Sequence, residues 1–375
     1  MSNHLFNYNQ VDFTKEPMFF GESRNIARLD LAMDPTLEKA IADANSRMWF
    51  PGEFQYSEDV PGYVSMNLLK RKLYLKNFKF QTTADSLVAR SVIECFLPTA
   101  TSPFWESWLF SHAFFENNIH SQTYADIMKA MPDDTKEMFD SIIDDENIMQ
   151  RFKILAEAFE ALVLENCKMV LAKAGTYTDY DEERHKQVFF IALFALLRLE
   201  AIDFKLSFIV SFSFREHGLM NNSIDAIAKI ALDELSSHYA TFANIINRLR
   251  SNSEWAYMFE DKDIMDKVYN LFEEGFKSDK LWIDYIFEDM DEVNNINKSI
   301  LLEYSKYNIN SVLRAVGLSS MFDDNNVFNS CKWADKYFKR SNIQTAQKEK
   351  VNNNYSLGIV DSMTSEDWDS IKNEY

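Results

Sequence analysis

A long apolar stretch with charges at its middle limits how this chain can fold. Residues 188–214 read VFFIALFALLRLEAIDFKLSFIVSFSF and are apolar for longer than the roughly 20 residues that cross a bilayer. Arg198, Glu200, Asp203 and Lys205 lie in its middle, where each charge would cost several kcal/mol in a membrane. We therefore predict a central buried helix of a soluble bundle. Glu200 needs a partner there, because its neighbours in LLRLEAIDF offer it no polar face.

Few residues in the rest of the chain favour turns. Only 8 Gly and 7 Pro occur among 375 residues, which favours long helices over a sheet-rich fold. We predict an all-α chain with an irregular arm over 1–30, a bundle to residue 340 and a polar tail over 341–375. Predicted helices cover 35–49, 65–96, 104–131, 146–175 ending at Gly175, and a series from an N-cap at Ser223 to about residue 316.

The charge and the cysteines exclude several classes of function. A formal net charge of −19 opposes binding to nucleic acid and to anionic membranes. The three cysteines lie far apart, which predicts reduced thiols and a cytoplasmic protein. The first ten residues, MSNHLFNYNQ, lack the basic and apolar regions of a signal peptide.

Two acid–histidine pairs recur at helical spacing. In ENNIHSQTY, Glu116, His120 and Tyr124 follow one another at intervals of four residues, so all three project from one face of a helix. In DELSSHY, Glu234 and His238 stand at the same interval. Two such pairs predict one shared site.

Four predicted helices together supply four carboxylates and two imidazoles, since Asp85 and Glu200 join the two pairs. Two divalent ions would neutralise the four carboxylates, and oxygen-rich ligation suits iron or manganese better than zinc. Taken singly, Asp85 could be solvated at a helix end and each Glu/His pair could be a surface contact.

Three further histidines receive simpler interpretations. The literal E-x-x-H of the chain, from Glu182 to His185 in DEERHKQ, is highly charged and follows a loop, so we interpret it as a solvated helix start. His4 and His217 have no acidic partner at helical spacing and are interpreted as structural or exposed.

These motifs, together with KEPMFFG, NFKFQTTADS, IHSQTY and LEAIDFKLSF in the same order, resemble the radical-generating small subunit of class I ribonucleotide reductase. The resemblance covers nearly the whole chain. It implies a ferritin-like helical bundle with a dinuclear metal site in its core. It also implies that the metals and O₂ generate a tyrosyl radical, which a separate large subunit uses to reduce ribonucleotides.

The resemblance assigns roles to individual residues. Asp85, Glu116 and His120 would ligate one metal, and Glu200, Glu234 and His238 the other; Tyr124 would carry the radical. Phe204, Phe208 and Ile230 would form an apolar pocket around it. Trp49, Asp233, Tyr355 and Glu349 match the path of radical transfer, the tail would dock onto the large subunit, and a homodimer is implied.

The chain departs from the family pattern in both ligand pairs. The family spaces Glu and His three apart, whereas both pairs here are four apart, which predicts a π-type turn in each helix. The alternative is that Asn117, three residues before His120, takes the ligand role. His112 stands where many members carry a Trp, and it could be a hydrogen-bonding neighbour of the metal site or, as we favour, a packed neutral histidine.

Two other functions stay open from sequence. The bundle could be a dimetal oxygenase or ligand-binding oxidase, or an iron-storage or purely structural protein. Tyr355 and the acidic tail favour the reductase over the first, and Tyr124 with Trp49 favours it over the second. A di-iron centre is the favoured cofactor, with Mn/Mn and Mn/Fe as alternatives.

Overall fold

Helices make up most of the chain that this computed structural model describes, residues 6–31 and 33–339. The all-α prediction is confirmed, apart from a two-stranded antiparallel hairpin of β1 (Glu292–Val293) and β2 (Ile296–Asn297). Tyr355, Glu349 and His4 lie outside the described residues. The α-helices are α1 (Pro35–Ser46), α2 (Val60–Ser65), α3 (Leu68–Ser91), α4 (Pro103–Phe114), α5 (Ser121–Ala130), α6 (Thr135–Ile143), α7 (Glu146–Lys173), α8 (Glu182–Arg198), α9 (Phe204–Glu216), α10 (Asn221–Asp233), α11 (Tyr239–Arg250), α12 (Lys262–Ile286) and α13 (Lys298–Ala315).

Short polar side chains define where most of these helices begin. At eight helix starts the residue before the first turn accepts a hydrogen bond from a backbone N–H of that turn, which satisfies a donor that the helix itself leaves unpaired. The end of α7 is also set by a nearby residue: Gly175, just after the helix, has a φ of +75°. The sequence predicts the end of the helix at this glycine. The capping residues are Asp34, Asn67, Ser102, Asp134, Asp145, Asp181, Asp261 and Asn297.

Helix α10 begins differently, and the predicted N-cap at Ser223 is wrong. The helix starts at Asn221 after Met220, whose φ of 55° lies in the left-handed region. Ser223 lies within the first turn, where its N–H and its hydroxyl donate to Asp59 Oδ2 at 2.7 and 2.6 Å. A carboxylate distant in sequence therefore caps this helix.

Four π-helical turns continue the long helices that carry the predicted site. Two of them, Phe115–His120 and Glu234–His238, confirm the prediction made from the four-residue Glu/His spacing. In each, the N–H that follows the histidine bonds back to the carbonyl of the glutamate, five residues earlier, which is how one extra residue is absorbed. Two more, Val92–Phe96 and Leu199–Asp203, were not predicted.

The apolar stretch over 188–214 is the buried centre of the bundle, as predicted, and runs from α8 through the π turn into α9. Within the described ranges, no helix combines the length and hydropathy needed to cross a bilayer. Two of the charges in the stretch pair with each other: Arg198 Nη2 lies 3.0 Å from Asp203 Oδ1. Arg151 of α7 and Asp279 of α12 complete this cluster, with 3.2 Å between Arg151 Nη2 and Asp279 Oδ1.

The interpretation of Glu182 to His185 is half right. Glu182 is exposed at the start of α8, but His185 is fully buried. Its Nε2 lies 2.9 Å from Asn166 Oδ1 and its Nδ1 lies 3.0 Å from Tyr180 Oη. Since Asn166 Oδ1 can only accept, Nε2 carries the proton, and Nδ1 accepts from the tyrosine. His217 is exposed, as expected.

Candidate metal centre

The six predicted ligands converge in the core from four helical segments. Asp85 lies on α3, and Glu200 lies in the π turn between α8 and α9. Glu116 and His120 are the second and last residues of the first predicted π turn, and Glu234 and His238 are the first and last residues of the second. Within each pair the wider turn keeps both side chains facing the interior, and all six residues are at most 2% exposed.

The ligand atoms form two groups, each with its atoms within 4.8 Å of one another. One group consists of Asp85, Glu116, His120 and Glu234, and the second consists of His112, Glu116, Glu200 and His238. Glu116 therefore belongs to both groups. Two ions side by side with a shared carboxylate would fit this arrangement.

Most carboxylate oxygens of this cluster lack hydrogen-bond donors among the described residues. Of the eight oxygens of Asp85, Glu116, Glu200 and Glu234, all except Glu234 Oε2 are buried and accept no hydrogen bond within the described part of the chain. A buried carboxylate without a donor or counter-charge costs several kcal/mol. The donor set of oxygens and imidazoles therefore fits a pair of divalent cations.

The pKa values of buried groups in this cluster are shifted because several ionisable groups lie close together. Burial and the neighbouring charge of Glu116 raise the pKa of the Asp85 carboxyl well above its ordinary value, and burial together with Glu116 and Glu200 does the same for Glu234. Burial opposes the charge on His120, yet the surrounding carboxylates raise its pKa well above the usual range. Four acids in one small volume do not ionise independently.

Tyr124 lies on α5, one helical turn after His120, and is fully buried. Its hydroxyl has no hydrogen-bond partner of normal geometry in the described residues. Burial, together with the charge of Asp85, raises the pKa of this phenol well above its ordinary value. The Tyr124 side chain therefore remains a neutral phenol at physiological pH.

A hydrogen-bonded chain leads away from the cluster through residues that the sequence analysis grouped together. Trp49 Nε1 donates to Asp233 Oδ2 at 2.8 Å, and the same oxygen lies 3.4 Å from His120 Nε2. The rings of Trp49 and His120 are stacked at 25° with centroids 6.4 Å apart. Trp49 is only 1% exposed, so the whole chain lies inside the protein.

The predicted apolar pocket residues are all in the core. Phe204, Phe208 and Ile230 are fully buried, and the two phenylalanine rings are stacked at 5.7 Å. A residue that the sequence analysis did not name, Phe78 of α3, packs edge-on against the Tyr124 ring at 5.3 Å. Its position at i−7 from Asp85 on the same helix face was the available signal.

Asn117 and His112 have opposite environments. Asn117 is exposed and bonds to Asn118, so its proposed role as a substitute ligand is wrong. His112 is 1% exposed and its Nε2 lies 3.0 Å from Glu200 Oε1 and 3.4 Å from Glu116 Oε1. The sequence analysis left His112 open as a hydrogen-bonding neighbour of the metal site, and its four-residue interval to Glu116 equals that of the two pairs.

Comparison with known proteins identifies the relatives of this chain. The family model described as ribonucleotide reductase, small chain, matches residues 31–329. The ribonucleoside-diphosphate reductase subunit beta of Haemophilus influenzae is 31% identical over 96% of this chain and 97% of its own length.

Two solved structures share the fold at lower identity. The ribonucleotide reductase R2 subunit from Clostridium botulinum has a TM-score of 0.75 and 21% identity, over 90% of this chain and 99% of its own. An R2-like ligand-binding oxidase with a reconstituted Mn/Fe cofactor has a TM-score of 0.61 and 13% identity, over 80% of this chain and 99% of its own. At these identities the likeness concerns the fold.

Proposed function

This chain belongs to the ribonucleotide reductase small-chain family, and from that membership we propose how its buried residues generate and hold a tyrosyl radical. It is the small subunit of a class I ribonucleoside-diphosphate reductase, an oxidoreductase that acts with a large subunit. The cluster of orphaned carboxylate oxygens beside Tyr124 is the observation on which the proposal rests.

Asp85, Glu116, His120, Glu200, Glu234 and His238 hold two metal ions in this proposal. Four carboxylates balance two divalent cations, which removes the cost of burying the charges. Iron is the favoured metal, and Mn/Mn and Mn/Fe centres use the same kinds of ligand. With O₂ as the oxidant, the bound metals supply the oxidising equivalent.

Tyr124 is the residue that is oxidised. Its phenol gives up one electron and its O–H proton and becomes a neutral tyrosyl radical. Because its pKa is raised, the electron and the proton leave together rather than from a phenolate formed beforehand. Phe78 packs against the Tyr124 ring, and in this proposal the buried side chains of Phe204, Phe208 and Ile230 exclude water and reductants from the radical.

The radical equivalent leaves through the chain of His120, Asp233 and Trp49. The hydrogen bond from Trp49 to Asp233 fixes the indole and gives its N–H proton an acceptor 2.8 Å away. A dimetal oxidase that acts on a small bound substrate does not require such an exit. The buried hydrogen-bonded path therefore favours the reductase over the oxidase alternative.

The remaining partner interactions follow from the same proposal. The tail after residue 340, with Glu349 and Tyr355, docks onto the large subunit and carries the radical onward. The subunit acts as a homodimer. The three cysteines, Cys95, Cys167 and Cys331, are all free thiols, which agrees with a cytoplasmic location.

A reconstitution experiment tests the radical site. Metal-free protein is loaded with ferrous iron, exposed to O₂ and examined by electron paramagnetic resonance for a tyrosyl signal. Wild type should give the signal, and Tyr124→Phe should lose it completely while retaining its iron. Tyr74→Phe is the matched control, because Tyr74 is also buried on a neighbouring helix with an unpartnered hydroxyl. A signal that persists in Tyr124→Phe would place the radical elsewhere.

A further inference from the structure

His112 has the same contacts with the carboxylate cluster as the histidines expected to bind metal. It lies in the last turn of α4, four residues before Glu116, and is 1% exposed. Its Nε2 is 3.0 Å from Glu200 Oε1 and 3.4 Å from Glu116 Oε1. His238 Nδ1 lies 3.0 Å from the same Glu116 oxygen, so the two imidazoles approach a common point.

These short distances are not hydrogen bonds. Neither ring nitrogen of His112, and neither oxygen of Glu200, has a hydrogen-bond partner in the described chain, although Nε2 and Oε1 are 3.0 Å apart. The directions of the groups are wrong for an N–H to point at the oxygen. His120 Nδ1 shows the same pattern, 3.1 Å from Glu234 Oε1 without a hydrogen bond. Imidazole nitrogens and carboxylate oxygens gathered at such distances without hydrogen bonds are typical of ligands around a cation.

The ring packing holds His112 in this orientation. Its ring stacks on that of His238 with centroids 3.8 Å apart at 29°, and Trp108 and Phe242 pack against it at 5.1 and 5.7 Å. Neutral imidazole is the form that binds metals. A third imidazole also leaves the charge balance of four carboxylates and two divalent ions unchanged.

We propose that His112 is a third imidazole ligand of the metal centre, bound through Nε2 to the ion that Glu200 and His238 also contact. This inference rests on the proposed metal-binding function and extends the ligand set to three histidines and four carboxylates. His112 lies in the last turn of α4, and the π turn that carries Glu116 begins at Phe115, three residues later.

A crystal structure of the wild-type protein loaded anaerobically with Mn²⁺ tests this assignment directly. Two anomalous peaks are expected in the cluster, one of them at roughly 2.0–2.3 Å from His112 Nε2, the range of metal–imidazole bonds. Two peaks with Nε2 more than about 3 Å from both would overturn the His112 assignment and leave the proposed function intact. No peak in the cluster would overturn both.

A variant supplies a second readout. His112→Phe keeps the ring packing and removes the nitrogen lone pair. The affinity for the more weakly held Mn²⁺ should therefore fall by more than about 100-fold. Loss of a residue that only hydrogen-bonds to a metal ligand typically lowers metal affinity by roughly 10–100-fold. His185→Gln is the control, because His185 is equally buried but bonds to Asn166 and Tyr180, and it should bind Mn²⁺ as wild type does. Unchanged Mn²⁺ affinity in His112→Phe would contradict the proposal.

Discussion

Two clusters of buried charge lie within a few residues of each other along the central helix, and they are balanced in different ways. The first joins Arg151 and Arg198 to Asp203 and Asp279, two cations with two anions. The second gathers four carboxylates with Glu200 among them, and seven of their oxygens have no hydrogen-bond donor in the described chain. The charges of the first cluster balance within the chain, whereas the four carboxyl groups of the second have no Lys or Arg partner in the described residues, and cations from outside the chain would balance them.

This contrast separates a structural network from a functional site. In the first cluster, Ser305 also donates to Asp279 at 2.7 Å, and the Arg151 guanidinium lies 3.9 Å from the Phe80 ring centroid. The two cations and two anions there offset one another in charge, although Arg151 Nε and Nη1, Arg198 Nε and Nη1 and Asp203 Oδ2 have no hydrogen-bond partner in the described chain. In the second cluster the orphaned oxygens carry a desolvation cost that bound protons or bound metal ions would remove. Changes to the two clusters should therefore affect different measurements.

The largest effect is expected from Glu116→Ala, because Glu116 belongs to both ligand groups. Loading with Fe²⁺ or Mn²⁺ under conditions that saturate wild type with two ions should leave fewer than one ion per chain, as measured by calorimetric titration. Glu165→Ala is the matched control, since Glu165 is also a buried glutamate but pairs with Lys168 at 2.8 Å and Arg184 at 3.1 Å. If Glu116→Ala and Glu165→Ala both bind two ions, Glu116 is not needed for metal binding and the distinction between a structural and a metal-binding cluster is wrong.

Asp279→Ala should have the converse result. Removing one anion leaves the buried Arg151 and Arg198 with uncompensated charge, which is expected to lower the free energy of unfolding by about 3–5 kcal/mol while two ions still bind. Chemical denaturation measures the loss. Asp266→Ala on the same helix is the control: Asp266 pairs with Lys262 at the exposed surface, where a loss below about 1 kcal/mol is expected.

Gly275→Ala tests how tightly the first cluster is packed. A Cβ at Gly275 would lie 1.8 Å from Arg198 Cζ, so the guanidinium would have to leave its place between its carboxylates. We expect a loss of about 3 kcal/mol in the free energy of unfolding, with unchanged metal stoichiometry. Gly52→Ala is a control with open space around the added methyl group. Equal stability of the two variants would contradict the packing argument.

His185 provides a third buried environment to compare with the two charged clusters, because its imidazole lies among neutral hydrogen-bonding partners. Burial, with the nearby charges of Lys173 and Lys168, lowers the pKa of His185 to about 4, below the ordinary value of 6.5. The unfolded chain therefore binds the proton more tightly, and the stability contributed by neutral His185 is complete above pH 6.5 and is lost as the pH falls toward 4.

From pH 7 to pH 5 this loss should be about 2 kcal/mol. Urea unfolding of the metal-free wild type and of His185→Gln at both pH values isolates it, since all other groups are common to the two proteins. A wild-type pH dependence that the variant reproduces in full would show that His185 contributes nothing to it.

Local patterns in the sequence predicted the features that local spacing controls. The four-residue interval from Glu116 to His120 and from Glu234 to His238 was sufficient to predict a π turn in each helix. The apolar run around Glu200 predicted a buried helix. Such features depend on neighbours one or two turns away, which the sequence displays directly.

Features that depend on distant partners were not predictable. Ser223 is of a residue type that commonly caps helices, but the carboxylate of Asp59, distant in sequence, supplies the cap. His185 follows charged residues, yet Asn166 and Tyr180 bury it. His112 was interpreted mainly as a packed histidine, because its distance from Glu200 arises only when α4 packs beside the central helix. Tertiary packing decided each of these cases.

Metal analysis of the folded wild-type protein tests the account most directly. Metal-free protein is dialysed anaerobically against Mn²⁺ or Fe²⁺, freed of unbound metal, and analysed for ions per chain alongside its thermal unfolding. The account predicts two tightly bound ions and a higher unfolding temperature than that of the metal-free protein. A fully helical, cooperatively folding protein that retains neither metal would contradict it.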